Sequence, residues 1–252
     1  MKDLNQTTAL IVGGSSGIGL ATARHLNSRG IHTVLIGSST EKLITAKHSL
    51  DFPAQADTLQ ADLYLPDDVQ RIIDFVSDHT RHVKYLVNAA GKFTPTAFLE
   101  HSAADYDKYM DLNRAAFFIS QAVARNMTSH DGGAIVNIGS MWAKQAIKAT
   151  PSSAYSMAKA GLHALTQHMA MELADHNIRV NAVAPAVVKT PIYESFIDPN
   201  EVDAVLSTFD EFHPIGRTGS PDDVAAVIDF LLDDKSSWVT GTVWDVDGGV
   251  MA

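Results

Sequence analysis

The chain has 252 residues, 46% of them apolar, and carries 19 basic against 29 acidic side chains, for a formal net charge of −10. This composition predicts one large α/β domain and excludes a disordered chain, while the negative charge argues against broad binding to nucleic acid or anionic membranes. The absence of cysteine excludes disulfides and thiol nucleophiles and favours a cytoplasmic location. We expect neither a signal peptide nor a membrane span.

Short β-rich runs alternate with segments of helical period along the chain. Strands are predicted at 7–13, 32–37, 83–88, 133–140, 178–185 and 242–247, with a weaker one at 55–62. Helices are predicted at 17–29, 40–50, 67–79, 102–128, 154–176 and 221–233. Near-continuous Val, Ile and Leu indicate strands buried on both faces, which together with the alternation is typical of βαβ units and a parallel sheet. The prediction is one domain, residues 1–252, in which the proline-broken segment 186–220 is a substrate loop.

The stretch "ALIVGGSSGIGLATARHL" places Gly13, Gly17 and Gly19 between the first strand and the first helix. Glycine permits a sharp turn and a close approach of phosphate, and a helix N-terminus presents free N–H groups to a pyrophosphate. The pattern predicts a dinucleotide site, and a plain glycine-rich turn is the alternative.

"VLIGSSTEKL", residues 34–43, follows the second strand, where an acid would hold the adenosine ribose and would repel a 2′-phosphate. No acid occurs between His32 and Thr40, and "STEKL" is typical of a helix cap followed by an acid in the first turn. Small residues such as Ser38 leave room for a 2′-phosphate, which favours NADP(H) over NAD(H). The stretch lacks the positive charge that strong selectivity for a 2′-phosphate would need, unless Lys42 folds back toward it.

Two later strand ends carry polar side chains. Asp62 ends the third predicted strand and could accept the adenine amino group, or it could cap the helix at Pro66. Asn88 ends the fourth strand in "LVNAAG", whose small residues would let a cofactor lie against the backbone. Its amide could also tie that strand to its neighbours.

Tyr155 and Lys159 are four apart in an amphipathic helix and therefore share one face. A nearby ammonium lowers the pKa of a phenol, which can then exchange a proton with a carbonyl or alcohol oxygen. Ser140, at the end of the preceding strand, can bind the same oxygen, and Asn113 could hold a water against Lys159. A solvated helix face and a helix-bending asparagine are the alternatives.

These motifs together resemble the short-chain dehydrogenase/reductase (SDR) family from about residue 7 to the C-terminus. The carriers are "GGSSGIG", "ADL", "NAAG", Asn113, Ser140, "YSMAK", "IRVNAVAPAVVKTP" and "GRTGSPDDVA…WVTGTVWDVDGG". The resemblance implies a Rossmann-type sheet of about seven strands and NAD(P)-dependent hydride transfer. It implies Tyr155 as general acid/base, Lys159 as its partner and ribose ligand, Ser140 as the group that orients substrate, and Asn113 in a proton relay. The predicted cofactor-binding set is Gly13, Ser15, Ser16, Gly17, Ile18, Gly19, Ser38, Asp62, Leu63, Asn88, Ala89, Gly91, Tyr155, Lys159, Pro185, Val188 and Thr190.

The sequence departs from the family pattern near the substrate. The gap from Ser140 to Tyr155 is about two residues longer than usual, so the segment between them must bulge, and Ala89 stands where many members have asparagine. Apolar side chains there predict an apolar or alicyclic carbonyl or alcohol as substrate: Met141, Trp142, Ile147, Val187, Ile192, Tyr193 and Phe196. Lysines could instead receive an anionic group: Lys92, Lys144 and Lys148.

Two other functions stay open. A 3-oxoacyl-carrier-protein reductase would need basic residues toward an acidic carrier, whereas Met171 stands where an arginine is expected and the chain itself is acidic. A non-catalytic NAD(P)-binding regulator would not need all four of the proposed catalytic residues.

The eleven histidines contain no close ligand pair, so no metal is expected. Apolar residues on the two long helices predict a homo-oligomer, a tetramer or a dimer.

Overall fold

Seven strands form one sheet in the computed structural model, which describes residues 7–78, 80–148 and 150–252. The strands are β1 (Thr7–Val12), β2 (His32–Gly37), β3 (Ala56–Gln60), β4 (His82–Asn88), β5 (Gly133–Ile138), β6 (Ile178–Pro185) and β7 (Val243–Val246). Their order is β3-β2-β1-β4-β5-β6-β7, and every neighbouring pair is parallel. The predicted parallel sheet of seven strands is confirmed.

Helices cover both faces of the sheet, as the alternating pattern predicted. They are α1 (Gly17–Ser28), α2 (Thr40–His48), α3 (Pro66–Val76), α4 (Ala103–Thr128), α5 (Ser153–Leu173), α6 (Val202–Ser207) and α7 (Pro221–Leu232). One apolar core lies between the sheet and α1, α2 and α7, and a second lies between the sheet and α3, α4 and α5. Because side chains alternate along a strand, successive residues of β1 pack in opposite cores. Ile11 lies in the first core and Leu10 in the second.

The substrate segment, residues 186–220, is more regular than the sequence predicted. It contains a 3₁₀ turn at Pro191–Ser195 and the helix α6. Val202 and Leu206 of α6 pack against Val187, together with Trp142 and Phe209. The segment predicted as a substrate loop therefore contains a short helix, which becomes stable here through tertiary contacts rather than through its own propensity.

The predicted boundaries differ from the structure by one to three residues at most ends. The third helix begins at Pro66 and ends at Val76, and position 79, to which it was predicted to extend, lies outside the described residues. The fifth helix ends at Leu173, where a 3₁₀ turn continues to His176. The fifth strand ends at Ile138 rather than at position 140, and Ser140 lies two residues later as the N-cap of a 3₁₀ turn at Met141–Ala143, within the long connection to α5.

The strand order places a crevice beside β1. The chain runs outward from β1 to β2 and β3 on one side, and from β4 to β7 on the other. Connections after β1 and β4 therefore diverge, and a ligand can enter between them at the carboxyl ends of the strands. Among the described residues, no helix is long and apolar enough to cross a membrane.

Candidate active site

A cavity of about 630 Å³ opens at the carboxyl ends of the strands. Of the predicted catalytic and cofactor-binding residues, all but Asn88 and Asn113 line it. Residues from the glycine turn, from the ends of β2 to β6, from α5 and from the substrate segment meet there. The topology thus gathers into one cleft side chains that are far apart in the sequence.

The glycine turn bends back against the end of β4. Gly13 has a positive φ of 84°, and a Cβ there would lie 2.5 Å from the backbone nitrogen of Ala90. A Cβ at Gly19 would overlap the carbonyl oxygen of Gly13. A side chain at either position would separate the turn from the sheet, so both glycines are needed for close packing.

The N-terminus of α1 presents donors to the cavity. Ser16 is the N-cap residue, and its side chain makes no capping hydrogen bond, while Leu20 N–H is the donor to the Ser16 carbonyl. The N–H groups of the first turn therefore remain available to an anion, with the helix dipole favouring negative charge. This arrangement fits the pyrophosphate of a dinucleotide cofactor.

The end of β2 offers hydroxyl groups and one lysine. Ser38 and Lys42 both line the cavity. Ser39 caps α2 by accepting a hydrogen bond from Lys42 N, and Glu41 lies in the first turn, as the sequence predicted. Lys42 supplies positive charge at this part of the cavity.

Asp62 and Asn88 have different surroundings. Asp62 lines the cavity and accepts a hydrogen bond from Tyr64 N, and α3 is capped by Leu65 instead, so the alternative of Asp62 as a helix cap was wrong. Asn88 is buried and donates to Ser120 Oγ at 2.9 Å and to Asn137 Oδ1 at 2.8 Å. The amide of Asn88 thus ties strands and helix together and points away from the cavity.

Tyr155, Ser140 and Lys159 meet at the inner end of the cleft. Burial raises the pKa of the Tyr155 phenol to about 12, and its hydrogen bond with Ser140 acts in the opposite direction. Lys159 Nζ donates to the Ile138 carbonyl at 2.7 Å and lies 5.8 Å from the Tyr155 ring centre. Burial lowers the pKa of Lys159 to about 8.

The expectation that Lys159 lowers the pKa of Tyr155 stays a prediction, because the raised pKa in this structure reflects burial of the phenol. The ammonium is directed to the end of β5, and a buried lysine with a lowered pKa is itself less often charged. Desolvation of the phenol is the largest influence on its pKa, and the hydrogen bond with Ser140 acts against it.

Asn113 lies inside α4 and contacts α5 beside Lys159. Its Nδ2 donates to the Ala158 carbonyl at 2.7 Å. A Cβ at position 161 would lie 3.6 Å from the same nitrogen, which is an ordinary contact, so this hydrogen bond does not require glycine there. The side-chain oxygen of Asn113 is the atom that could hold a water.

Aromatic rings surround the Tyr155 side chain. Phe93 makes an edge-to-face contact with Tyr155 at 4.9 Å between ring centres and with Phe196 at 5.7 Å. Trp142 and Tyr193 complete this aromatic group. Phe93 was missed by the sequence analysis, because an aromatic residue in a connection carries no periodic signal.

Other predicted substrate contacts have different placements. Met141 is completely buried, and Lys144 forms an ion pair with Asp245 at 2.7 Å. Lys92 lines the cavity. No group of side chains suited to a metal ion occurs in the described parts of the chain.

Comparison with known proteins identifies the family. The model of the family described as "Enoyl-(Acyl carrier protein) reductase" matches residues 12–251. The chain is 33% identical to a 3alpha-hydroxysteroid dehydrogenase from Mediterraneibacter gnavus, over 97% of each chain. It is 32% identical to the 3-oxoacyl-[acyl-carrier-protein] reductase FabG of Thermotoga maritima, over 98% of this chain and 99% of that one. The chain is a short-chain dehydrogenase/reductase.

A solved structure of the same family carries a cofactor. ElxO with NADP bound superimposes with a TM-score of 0.87 at 28% identity, covering 98% of this SDR and 99% of that chain. SDR enzymes bind a nicotinamide cofactor, and this one is an oxidoreductase acting on CH–OH or C=O groups.

Proposed function

We propose that this SDR moves a hydride between the nicotinamide of NADP(H) and a carbonyl carbon, or the matching secondary alcohol, with Tyr155 as general acid/base. The observation that carries the proposal is the meeting of Tyr155, Ser140 and Lys159 at the inner end of a cleft lined by the glycine turn. When bound, the cofactor supplies or accepts the hydride. Its predicted contacts are the cofactor-binding residues given above, except that Asn88 is placed to support the strand rather than to touch the ligand.

Tyr155 handles the proton. In reduction its hydroxyl donates a proton to the carbonyl oxygen, and in oxidation the same atom accepts the proton of the alcohol. Ser140 Oγ donates a hydrogen bond to that oxygen and fixes the substrate's orientation. Lys159 holds the nicotinamide ribose, and Asn113 Oδ1 holds the water through which the proton of Tyr155 is replaced.

The aromatic surroundings favour an apolar substrate. Phe93 packs edge-to-face on Tyr155, and Trp142 and Phe196 pack on Phe93 in turn, which suits a flat or alicyclic carbonyl compound. Of the three lysines predicted to receive an anionic group, Lys144 is paired with Asp245, whereas Lys92 lines the cavity.

A carrier-protein thioester is the second candidate substrate, because several relatives are named 3-oxoacyl-carrier-protein reductases. The net charge of −10 opposes an acidic carrier. Turnover of a 3-oxoacyl-carrier-protein at the rate of a small ketone would favour this candidate over the apolar ketone.

The proton-transfer role is tested with Tyr155→Phe. We expect kcat to fall by about 10²- to 10⁴-fold, the usual contribution of a positioned general acid. The Kd of NADPH should change less than about threefold, because only the hydroxyl is removed. Tyr106→Phe, on the exposed face of α4, is the matched control and should keep wild-type activity. Unchanged kcat in Tyr155→Phe would refute the mechanism and favour a cofactor-binding regulator.

The cofactor preference is tested by comparing kcat/KM for NADPH and NADH. We expect NADPH to be preferred, and Lys42→Ala to reduce that preference about tenfold, the worth of one charge-assisted hydrogen bond. Lys47→Ala, on the same helix, should leave the ratio unchanged. A clear preference of the wild-type enzyme for NADH would overturn the assignment.

Two further properties belong to this proposal. The apolar faces of α4 and α5 support a homotetramer, or a dimer built on the same helices. The cytoplasmic location rests on composition and stays a prediction.

A further inference from the structure

A buried histidine lies directly behind the catalytic serine. His163, on α5, is 8% exposed, and its Nε2 accepts a hydrogen bond from the backbone N–H of Ser140 at 3.3 Å. The ring also packs on the preceding peptide, since a Cβ at Gly139 would overlap the imidazole. Hydrogen bonding and packing therefore both fix the backbone that carries Ser140.

The hydrogen bond requires a neutral imidazole with its proton on Nδ1. Burial is the main reason that the pKa of His163 is lowered to about 4, and the charges of Lys144 and Lys159 act in the same direction. Asp245, on β7, opposes them and is itself paired with Lys144 at 2.7 Å. The acceptor on Nε2 is therefore present throughout the neutral pH range.

His163 is the middle member of a row of side chains along α5. Lys159 donates to the Ile138 carbonyl, His163 accepts from Ser140 N, and Thr166 Oγ1 accepts from Asn137 Nδ2 at 2.9 Å. Spacings of four and three residues place all three on one helix face. This row sets α5, which also carries Tyr155, against the end of β5 and the residues Gly139 and Ser140 that follow it.

We propose that His163 is a positioning residue, which holds the Ser140 hydroxyl at the distance from Tyr155 that hydride transfer requires. The inference rests on the proposed oxidoreductase function and adds a residue that touches neither substrate nor cofactor. Removal of the acceptor leaves the Ser140 N–H buried without its partner, so the strand end must shift. A shift of about 1 Å at a reacting group can cost about a hundredfold in rate.

The test compares His163→Leu, which lacks an acceptor, with His163→Gln, whose Oε1 can replace Nε2. We expect kcat to fall about 10- to 100-fold in the leucine variant and less than about threefold in the glutamine variant. The Kd of NADPH should stay within about twofold in both, because His163 does not line the cavity and the glycine turn packs after β4 rather than on His163. His168→Leu, on the exposed face of the same helix, is the matched control and should keep wild-type kcat.

A purely structural role gives a different result. It predicts a lower Tm for His163→Leu with wild-type kcat per folded molecule, and that outcome would overturn the proposal. If the leucine variant does not fold, His163→Met supplies another apolar side chain of similar length for the same comparison. Equal kcat in His163→Met and His163→Gln would also overturn it.

A spectroscopic measurement separates this inference from the proposed function. Imidazole ¹⁵N NMR should show one histidine, absent in His163→Gln, that stays the neutral Nδ1–H tautomer from pH 5.5 to 8. A His163 signal that titrates near its usual pKa of 6.5 contradicts the hydrogen bond and this inference alone. A wild-type protein that binds NADPH but turns over no carbonyl compound contradicts the proposed function, and with it the catalytic consequence drawn here.

Discussion

Desolvation dominates the ionisation of the three titratable side chains around Ser140. Burial raises the pKa of Tyr155 to about 12 and lowers the pKa of Lys159 to about 8 and of His163 to about 4. In each case burial favours the uncharged form of the side chain. A phenol with so high a pKa is a proton donor at neutral pH, which is the form that carbonyl reduction needs.

The lowered pKa of His163 predicts a loss of stability in acid. Below pH 6.5 the unfolded chain binds a proton at this residue, whereas the folded protein does so only near pH 4. The free energy of unfolding therefore falls as the pH decreases from 6.5 to 4, by at most about 3 kcal/mol from this residue. Urea unfolding at pH 7 and pH 4.5 should show a smaller loss in His163→Gln than in the wild type. His168→Gln should show the wild-type loss, and equal losses in all three proteins would contradict the assignment.

Spacing alone predicted which residues of the site share a helix face, but not their environment. The four-residue interval indicated that Tyr155 and Lys159 are neighbours, and the structure places both at the cleft. That Lys159 donates to the end of β5 depends on the packing of α5 against the sheet, which no local pattern contains. For the same reason, the sequence left open whether Asn88 contacts the cofactor or ties its strand to its neighbours.

At the scale of elements, a buried polar chain crosses the centre of the molecule. It runs from Ser120 on α4 through Asn88 on β4 and Asn137 on β5 to Thr166 on α5. Each of these residues is buried. Such a chain fixes the register of two helices against two strands, because displacement of one element would leave its buried amides or hydroxyls unpaired.

Thr166→Val tests the polar chain with little change in side-chain volume. Asn137 Nδ2 loses its acceptor in a buried position, so we expect the free energy of unfolding to fall by about 1–3 kcal/mol. Thr45→Val, on the exposed face of α2, is the matched control and should change stability by less than about 0.5 kcal/mol. Urea unfolding followed by far-UV circular dichroism gives both values. An unchanged midpoint in Thr166→Val would show that the chain does not contribute to stability.

Most helices and strands were predictable, because the periodicity of the apolar residues and the glycine and proline residues at the ends of the elements agree with the fold. The exception, α6, has six residues and follows a proline-rich stretch, so its sequence signal is weak. Its apolar side chains pack against Val187 and Trp142, which are distant from α6 in the local sequence pattern. The family resemblance implied a Rossmann-type sheet of about seven strands, but the strand order is a property of the whole sheet and was not predicted from the sequence.

At the scale of the whole molecule, large apolar side chains remain exposed on the two longest helices. Phe117 and Phe118 of α4 are 45% and 41% exposed, and Met157 and Met171 of α5 are also exposed. Leu162 of α5, in contrast, is buried. Exposed apolar patches of this kind mark interaction surfaces, and α4 and α5 lie side by side.

The proposed assembly can be measured directly. Size-exclusion chromatography with light scattering should give about four times the chain mass of 27.1 kDa, or twice that mass for a dimer. Phe118→Glu should reduce the mass, since burial of a carboxylate in an apolar interface is costly. Ile44→Glu, an exposed position on α2, is the control and should leave the mass unchanged. A monomer at micromolar wild-type concentration would contradict the assembly.

Trp142 has an optical consequence. The chain has three tryptophans, and Trp238 is 99% exposed, whereas Trp142 packs with α6 and Val187 and its Nε1 is buried without a hydrogen-bond partner among the described residues. A protein in which Trp238 and Trp244 are replaced by phenylalanine would emit from Trp142 alone. Its fluorescence maximum would lie to the blue while the substrate segment is packed and would move to the red if the segment opens. The enzyme thus contains its own probe for movement at the mouth of the cleft.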